Sequence, residues 1–194
     1  MARLDGRKLK SKAKTTVGAF KTQNKSLYGS DTDKGVEWRR FTVRPGFPKD
    51  SPSNLMWLKE NVTDDILDVR LELEIVRESR APKLLITIQG EGEKDGLSGW
   101  TLILVPVGSG HVSARLERYD RLVYETAALE LGEGEGPREL TFECLDDEVS
   151  VRLDALQIFD RVPILPIENR YRIGLATWGT QPGIAQFTIS AAKR

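Results

Sequence analysis

The chain has 194 residues, with 29 Lys/Arg, 29 Asp/Glu, one His and one Cys. That length suits one large domain whose core needs no covalent or metal staple, and the lone Cys and lone His exclude a disulfide framework, a cysteine-based zinc site and any His-pair metal site. No apolar run is long enough to span a bilayer and the basic N-terminus lacks the apolar stretch of a Sec signal, so the expectation is a soluble protein, cytoplasmic or part of a large assembly such as a virion.

The balanced charge hides an asymmetry. Residues 1–25 carry Arg3, Arg7, Lys8, Lys10, Lys12, Lys14, Lys21 and Lys25 against a single acid, Asp5, while the rest has 21 basic and 28 acidic residues. Residues 1–35 are rich in Lys, Ser, Thr and Gly and show no sustained hydrophobic period. They read as an extended basic arm, preceding a domain over 36–194. Such an arm binds anionic surfaces or stays solvated. Its aromatics are too few to interleave with nucleobases, so a protein partner or self-assembly is the first expectation and nucleic acid a lesser one. Val36–Val43 could open the domain as a strand, with Trp38 among the arm's candidate contacts. Pro45, Pro48 and Pro52 then impose an irregular linker, and Ser53–Asn61 reads as a short helical turn or a strand.

From residue 66 the pattern sharpens. In Ile66–Arg77, Leu67, Val69, Leu71, Leu73 and Ile75 alternate with Asp68, Arg70, Glu72 and Glu74, the period-2 signature of a strand with one wet face. Lys83–Gln89 and Trp100–Val107 are apolar on both faces, as a central strand requires. Val112–Arg118, Arg121–Thr126, Leu140–Cys144, Glu148–Leu153, Leu156–Arg161, Tyr171–Trp178 and Ile184–Ser190 follow at short spacing with Gly, Pro and Asp turns. About ten short strands and no long helix after residue 62 predict an all-β, two-sheet antiparallel β-sandwich.

Four stretches carry a resemblance. Leu55-Met56-Trp57-Leu58-Lys59-Glu60 followed by Ile66–Ile75, then Gly99-Trp100-Thr101-Leu102, then Glu148–Phe159, and finally Arg172–Gly179 closing with Ala185–Ser190, together resemble a concanavalin A-like jelly-roll sandwich. More narrowly, they resemble the 3-keto-disaccharide hydrolase-like and laminin-G-like domains. The likeness covers about 135 residues and consists of packing and turn motifs, which speak to fold more than to function. Ala155 stands where that family usually has a turn glycine, which predicts a different turn. The resemblance implies a carbohydrate-binding module or a glycoside-cleaving hydrolase.

The residues themselves do not supply the hydrolase. Sugar cleavage uses two carboxylates flanking the scissile bond. Glu72 and Glu74 share a strand face about 6–7 Å apart, but the strand lacks the third in-phase carboxylate of the laminarinase-type motif. The plainer reading is a solvated face with a cross-strand ion pair to Arg70 or another Arg. His111 reads as a turn residue and Cys144 as a buried small hydrophobe. The loops at Gly90–Gly96 and Gly132–Pro137 are acidic and lead into strands, which is wrong for cradling phosphate. No catalytic residue, metal or cofactor is therefore assigned. The ligand-binding candidates are Trp178, Trp100, Glu72 and Glu74, because aromatic rings and polar rims recognise sugars; the same rings also make core, which is the first reading of Trp178 and of Trp100, in step with Leu102 and Leu104. Trp178 shares a face with Gly174 and Ala176, which leave room for a packed neighbour or a ligand. The leading functional expectation is a non-catalytic binding or structural module whose basic arm docks on partner subunits. Carbohydrate binding and hydrolysis are the alternatives.

Overall fold

The structure, a computed structural model, describes residues 2–17, 20–23, 26–29, 54–58, 66–74, 84–90, 100–108, 110–118, 121–132, 137–145, 147–164, 171–177 and 183–192. The strand expected at 36–43, the proline linker, Lys25, Trp38 and Trp178 lie outside these residues, as do 91–99 and 133–136 of the two glycine-rich loops.

Two eight-stranded antiparallel sheets face one another. The first runs, edge to edge, through β14 (Leu156–Pro163), β13 (Glu148–Leu153), β12 (Arg138–Leu145), β6 (Ile66–Glu74), β16 (Gly183–Ala192), β4 (Ser26–Gly29) and β3 (Phe20–Gln23), with β1 (Ala2–Asp5) also on β16. The second runs through β10 (Arg121–Glu125), β9 (His111–Arg118), β8 (Trp100–Gly108), β7 (Leu84–Gly90), β15 (Tyr171–Thr177), β5 (Asn54–Leu58) and β2 (Ala13–Val17), with β11 (Leu129–Glu130) on β9. One short helix, α1 (Gly6–Lys12), links β1 to β2 and is the single helix among the described residues. The all-β sandwich predicted by the strand spacing is what forms.

Strand alternation builds the core. Leu140, Phe142 and Cys144 of β12 are buried, and register sets them opposite Val149, Val151 and Leu153 on one side and Leu67, Val69 and Leu71 on the other. Ile86, Leu102, Leu104, Ala114, Leu116 and Leu175 belong to the same buried cluster from the second sheet. Burial pushes the Cys144 thiol far above its ordinary range, as expected for a thiolate denied water.

One expectation changes. The described residues within 1–35 are not an arm apart from the sandwich: β1 and β4 pair with β16, and β2 pairs with β5, so they supply strands to both sheets of their own chain. These strands carry no apolar stripe of their own; they borrow stability from the ladders they join. The boundary expected at 35/36 lies outside the described residues. Within Ser53–Asn61, Asn54–Leu58 form the strand β5, one of the two readings offered there. The different turn expected at Asp154-Ala155 turns on the aspartate. Asp154 takes the left-handed conformation, φ 53°, which Asp tolerates better than most residues. Its carboxylate accepts the Glu139 N–H at 2.8 Å and an Arg138 N–H at 2.8 Å, while Arg138 also donates to the Gly132 carbonyl at 3.0 Å. The aspartate thus does the conformational work of the missing glycine and ties the hairpin to a buried arginine.

Candidate functional site

Of the four ligand candidates, Trp178 lies outside the described residues, and Trp100 falls on a different sheet from Glu72 and Glu74. Trp100 is 4% exposed and lies in the inter-sheet core, with the Arg118 guanidinium 5.2 Å from its ring centroid. That position removes it from any sugar-binding surface, because the alternation of β8 sends Trp100, Leu102 and Leu104 inward. Glu72 and Glu74 sit on β6, in the middle of the other sheet.

The outer face of that first sheet is striped. Arg70 lies opposite Thr141 and Thr188, with Arg152 opposite Thr141 on the far side. Glu72 lies opposite Glu139 and Gln186, and Asp68 lies opposite Glu143 and Ser190. The rung of Glu72 thus holds no arginine among the positions directly opposite it. Acidic rungs flank a basic one, and pairing runs along diagonals, as in Arg152–Glu143 at 3.6 Å. Glu74 lies opposite Gly183. Among the described residues, no three His, Cys, Asp or Glu side chains converge as a metal site would require.

The second sheet's outer face is different in kind. One rung across it reads Lys14, Trp57, Gly174, Thr87, Thr101, Glu117, Leu122; the next reads Val17, Leu55, Ala176, Leu85, Ile103, Arg115, Glu125. Leu55, Trp57, Leu85, Ile103 and Ala176 form a second buried apolar cluster, apart from the inter-sheet core. In the middle of the polar rung Thr87 and Thr101 are buried, and their hydroxyls bond to each other at 3.1 Å. The groups open to solvent lie at the ends. At one end Arg115 pairs with Glu125 at 2.6 Å. At the other, Lys14 is exposed and Arg172 half-buried beside the buried Trp57.

That second end is the candidate site. Gly174 on β15 lies beside Trp57 on β5, and a Cβ there would come within 2.8 Å of the Trp57 ring and of the Thr87 methyl. The glycine is demanded by space, and the indole lies against its backbone. The Arg172 guanidinium stands over the same ring, 4.2 Å from its centroid, a cation–π contact strengthened by the burial of the indole. Lys14, directly opposite Trp57 on β2, is exposed. The room expected beside Gly174 and Ala176 is real, but Trp57 from the neighbouring strand fills it. Trp57 was legible as a strand-opening tryptophan that could anchor the N-terminal stretch to the sandwich or lie at an interface, and Arg172 carried no signal beyond being two residues before Gly174.

The expected arm residues take definite places. Arg3 lies opposite Thr188, Arg7 is on α1, and Lys21 lies opposite Tyr28. Lys8, Lys10, Lys12, Lys14 and Lys21 are all exposed, and α1 contacts both β2 and β3. Lys8, Lys10 and Lys12 thus lie on a helix that touches both the strand holding Lys14 and the strand holding Lys21. His111 begins β9, half-buried, opposite Gly108 and Glu130. No helix among the described residues is long and apolar enough to cross a membrane.

No protein-family model matches the sequence, and no curated protein does. Solved structures do match in fold. A galectin-like protein of unknown function from Bacillus subtilis aligns with a TM-score of 0.65 at 14% identity, over 100% of this chain and 97% of its own. The legume lectin-like domain from Entamoeba histolytica aligns at 0.60 and 8% identity, over 98% and 97%. The carbohydrate-binding module CBM66 from Bacillus subtilis aligns at 0.56 and 12% identity, over 93% and 96%. Likeness at such low identity is a likeness of backbone. The chain has the lectin-type β-sandwich fold, consistent with the concanavalin A-like architecture.

Proposed function

We propose that this protein is a non-catalytic, lectin-like glycan-binding module whose site lies where Lys14, Trp57 and Arg172 meet on the outer face of the second sheet. The observation that carries the reading is the Trp57–Gly174–Arg172 arrangement. A glycine is spent to seat a largely buried indole on the outer face of the second sheet, and the indole holds an arginine at the margin of that face. An apolar floor with a few oriented polar groups at its rim is the usual composition of a sugar site. The fold likeness supports the same reading, since neighbours described as a carbohydrate-binding module and a legume lectin-like domain share the sandwich. Fold likeness alone does not assign a function, so the residues bear the weight.

Docking of the N-terminal stretch on another subunit has less support, because its described strands pair with β5 and β16 of the same chain. The narrower 3-keto-disaccharide hydrolase reading also has less support: Glu72 and Glu74 lie on the sheet opposite the candidate site, in rungs with Glu139, Gln186 and Gly183.

A glycan array probed with the full chain tests the proposal. The expected result is selective retention on a subset of glycans, lost in Arg172→Gln at unchanged melting temperature. Retention on no glycan, or retention indifferent to Arg172, overturns it.

A further inference from the structure

We infer that β10, the edge strand of the second sheet, is a self-complementary surface on which a second copy of this chain docks, related to the first by a two-fold axis through Val123. The inference is independent of the glycan reading above.

The centre of β10 is apolar and open. The strand ends its sheet, with β9 on one side and no strand on the other among the described residues, and such an edge is where another chain can lie alongside. Its sequence is Arg-Leu-Val-Tyr-Glu. Leu122 is 52% and Val123 44% exposed, two of the four large apolar side chains that stand open among the described residues. The register explains why they do. Leu122 lies opposite Glu117 and Tyr124 opposite Leu116, so Val123 is the extra residue of a bulge, and a bulge re-aims the side chains around it. Tyr124 turns inward onto the inter-sheet core, its ring 6.5 Å from Phe159 and its hydroxyl donating to the Pro163 carbonyl at 3.0 Å. Leu122 and Val123 are left at the surface. Through Tyr124, β10 is tied to β14, the edge of the first sheet, so the apolar pair stands on a fixed flank. The bulge interrupts a regular backbone ladder, and what the flank offers is side chains.

The charges around that centre are ordered for a second copy. Arg121 and Glu125 are both exposed and stand two residues before and two after Val123. When a second β10 is laid antiparallel about Val123, Arg121 comes opposite the partner's Glu125, Glu125 comes opposite the partner's Arg121, and the apolar pair meets its own copy. A two-fold contact requires this kind of self-complementary order, and an apolar centre within a polar rim is the usual anatomy of an interface. Each charge gains from the meeting. Arg121 faces Arg118 within its own sheet, and like charges directly opposite are unfavourable. Glu125 accepts the Arg115 N–H at 2.6 Å through one carboxylate oxygen, and a carboxylate has further acceptor sites. A copy laid parallel would instead set Arg121 against the partner's Arg121. The opposite edge of the same sheet is β2, so the candidate glycan site of each copy stays apart from the contact.

The contact is small, and the dimer is correspondingly weak, half-dissociated at about 10–100 μM. Sedimentation equilibrium of the full chain from about 5 to about 500 μM, at about 50 mM NaCl, tests it. The expected result is a weight-average mass that rises from one chain toward two. Leu122→Gln and Val123→Thr each weaken self-association about fivefold or more. Arg121→Glu sets acid against acid at both ends of the contact, and Glu125→Lys sets base against base; each alone weakens it about tenfold or more. Mixed in equal amounts, these two variants associate again, because the acidic flank of one meets the basic flank of the other. Misfolding cannot produce that recovery, and melting temperatures verify the fold of each variant. A chain that stays monomeric to the highest concentration overturns the inference, as does a dimer indifferent to all four substitutions. A mixture that stays monomeric overturns the antiparallel pairing about Val123, and open-ended assemblies in place of a dimer overturn the closed two-fold contact.

Discussion

The two outer faces of this sandwich are built on opposite plans. On the first sheet Asp68, Arg70 and Glu72 of β6 stand in rungs with Glu143, Thr141 and Glu139, and Arg70 and Glu139 are exposed. On the second, β5, β7 and β8 send Leu55, Leu85 and Ile103 outward, and these are 5%, 0% and 1% exposed. One face is a solvated charge lattice; the other is a second, smaller core. A sheet with one wet face alternates in sequence, whereas a sheet buried on both faces reads as a continuous apolar run. The difference between I-L-D-V-R-L-E-L-E and L-L-I-T-I-Q therefore encodes it directly. The candidate site lies on the margin of the closed face, where apolar packing gives way to Arg172 and Lys14. Packing there holds the cations in place, which a solvated face cannot do.

The largest expected effect tests whether the second cluster is a genuine core. Leu85→Ala is expected to cost about 2–4 kcal/mol in chemical denaturation, the range for a fully buried leucine, although Leu85 lies outside the inter-sheet core. A loss below about 1 kcal/mol would show the outer face to be loosely covered and would break the comparison.

Next comes Gly174→Ala. The added methyl meets the Trp57 ring and the Thr87 methyl at 2.8 Å, and overpacking of this kind costs about 1–3 kcal/mol. It also tilts the indole from under Arg172, so tryptophan fluorescence is expected to shift together with the melting temperature. A variant as stable as the parent with unchanged fluorescence would mean that the glycine is not what seats the ring.

Cys144 supplies a smaller effect on the inter-sheet side. Its thiol ordinarily titrates at 9.0 and is raised by burial in the folded chain. Above pH 9 the unfolded chain loses this proton and the folded chain keeps it. The folded state then binds more protons, so stability falls as pH rises, by up to about 1.4 kcal/mol per pH unit for this group. Cys144→Ala introduces a cavity but removes that slope. The two variants' pH profiles between 8 and 10.5 separate the contribution from those of Lys and Tyr, and parallel profiles would contradict the burial of the thiol.

How much of this was legible follows the same division. Strands from β6 onward announce themselves through alternation or apolar runs punctuated by Asp, Gly and Pro turns, and the structure follows them closely. β1 to β4 do not, because Ala-Lys-Thr-Thr-Val and Phe-Lys-Thr-Gln offer no apolar stripe; their pairing with β5, β16 and one another is a tertiary fact. The site was half visible. Small residues at Gly174 and Ala176 promised space, but which tryptophan occupies it depends on β5 lying beside β15, a neighbour relation between segments distant in the chain. Trp100 was legible as core from its phase with Leu102 and Leu104, and it is core; only its second reading, as a ligand platform, fails.

The smallest effect is also the sharpest test of the contrast. Glu72 lies in a rung with Glu139, and like charges directly opposite are mildly destabilising. Glu72→Gln keeps the shape and removes one charge of the pair. If this face is the solvated lattice described, stability should rise by a few tenths of a kcal/mol, and the gain should shrink as salt screens the repulsion. The same measurement on Leu85→Ala should show no such salt dependence, since that loss is packing. A loss above 1 kcal/mol for Glu72→Gln would mean that its carboxylate is held in a specific network, and the first sheet's outer face would then deserve the search for a ligand that the second sheet now attracts.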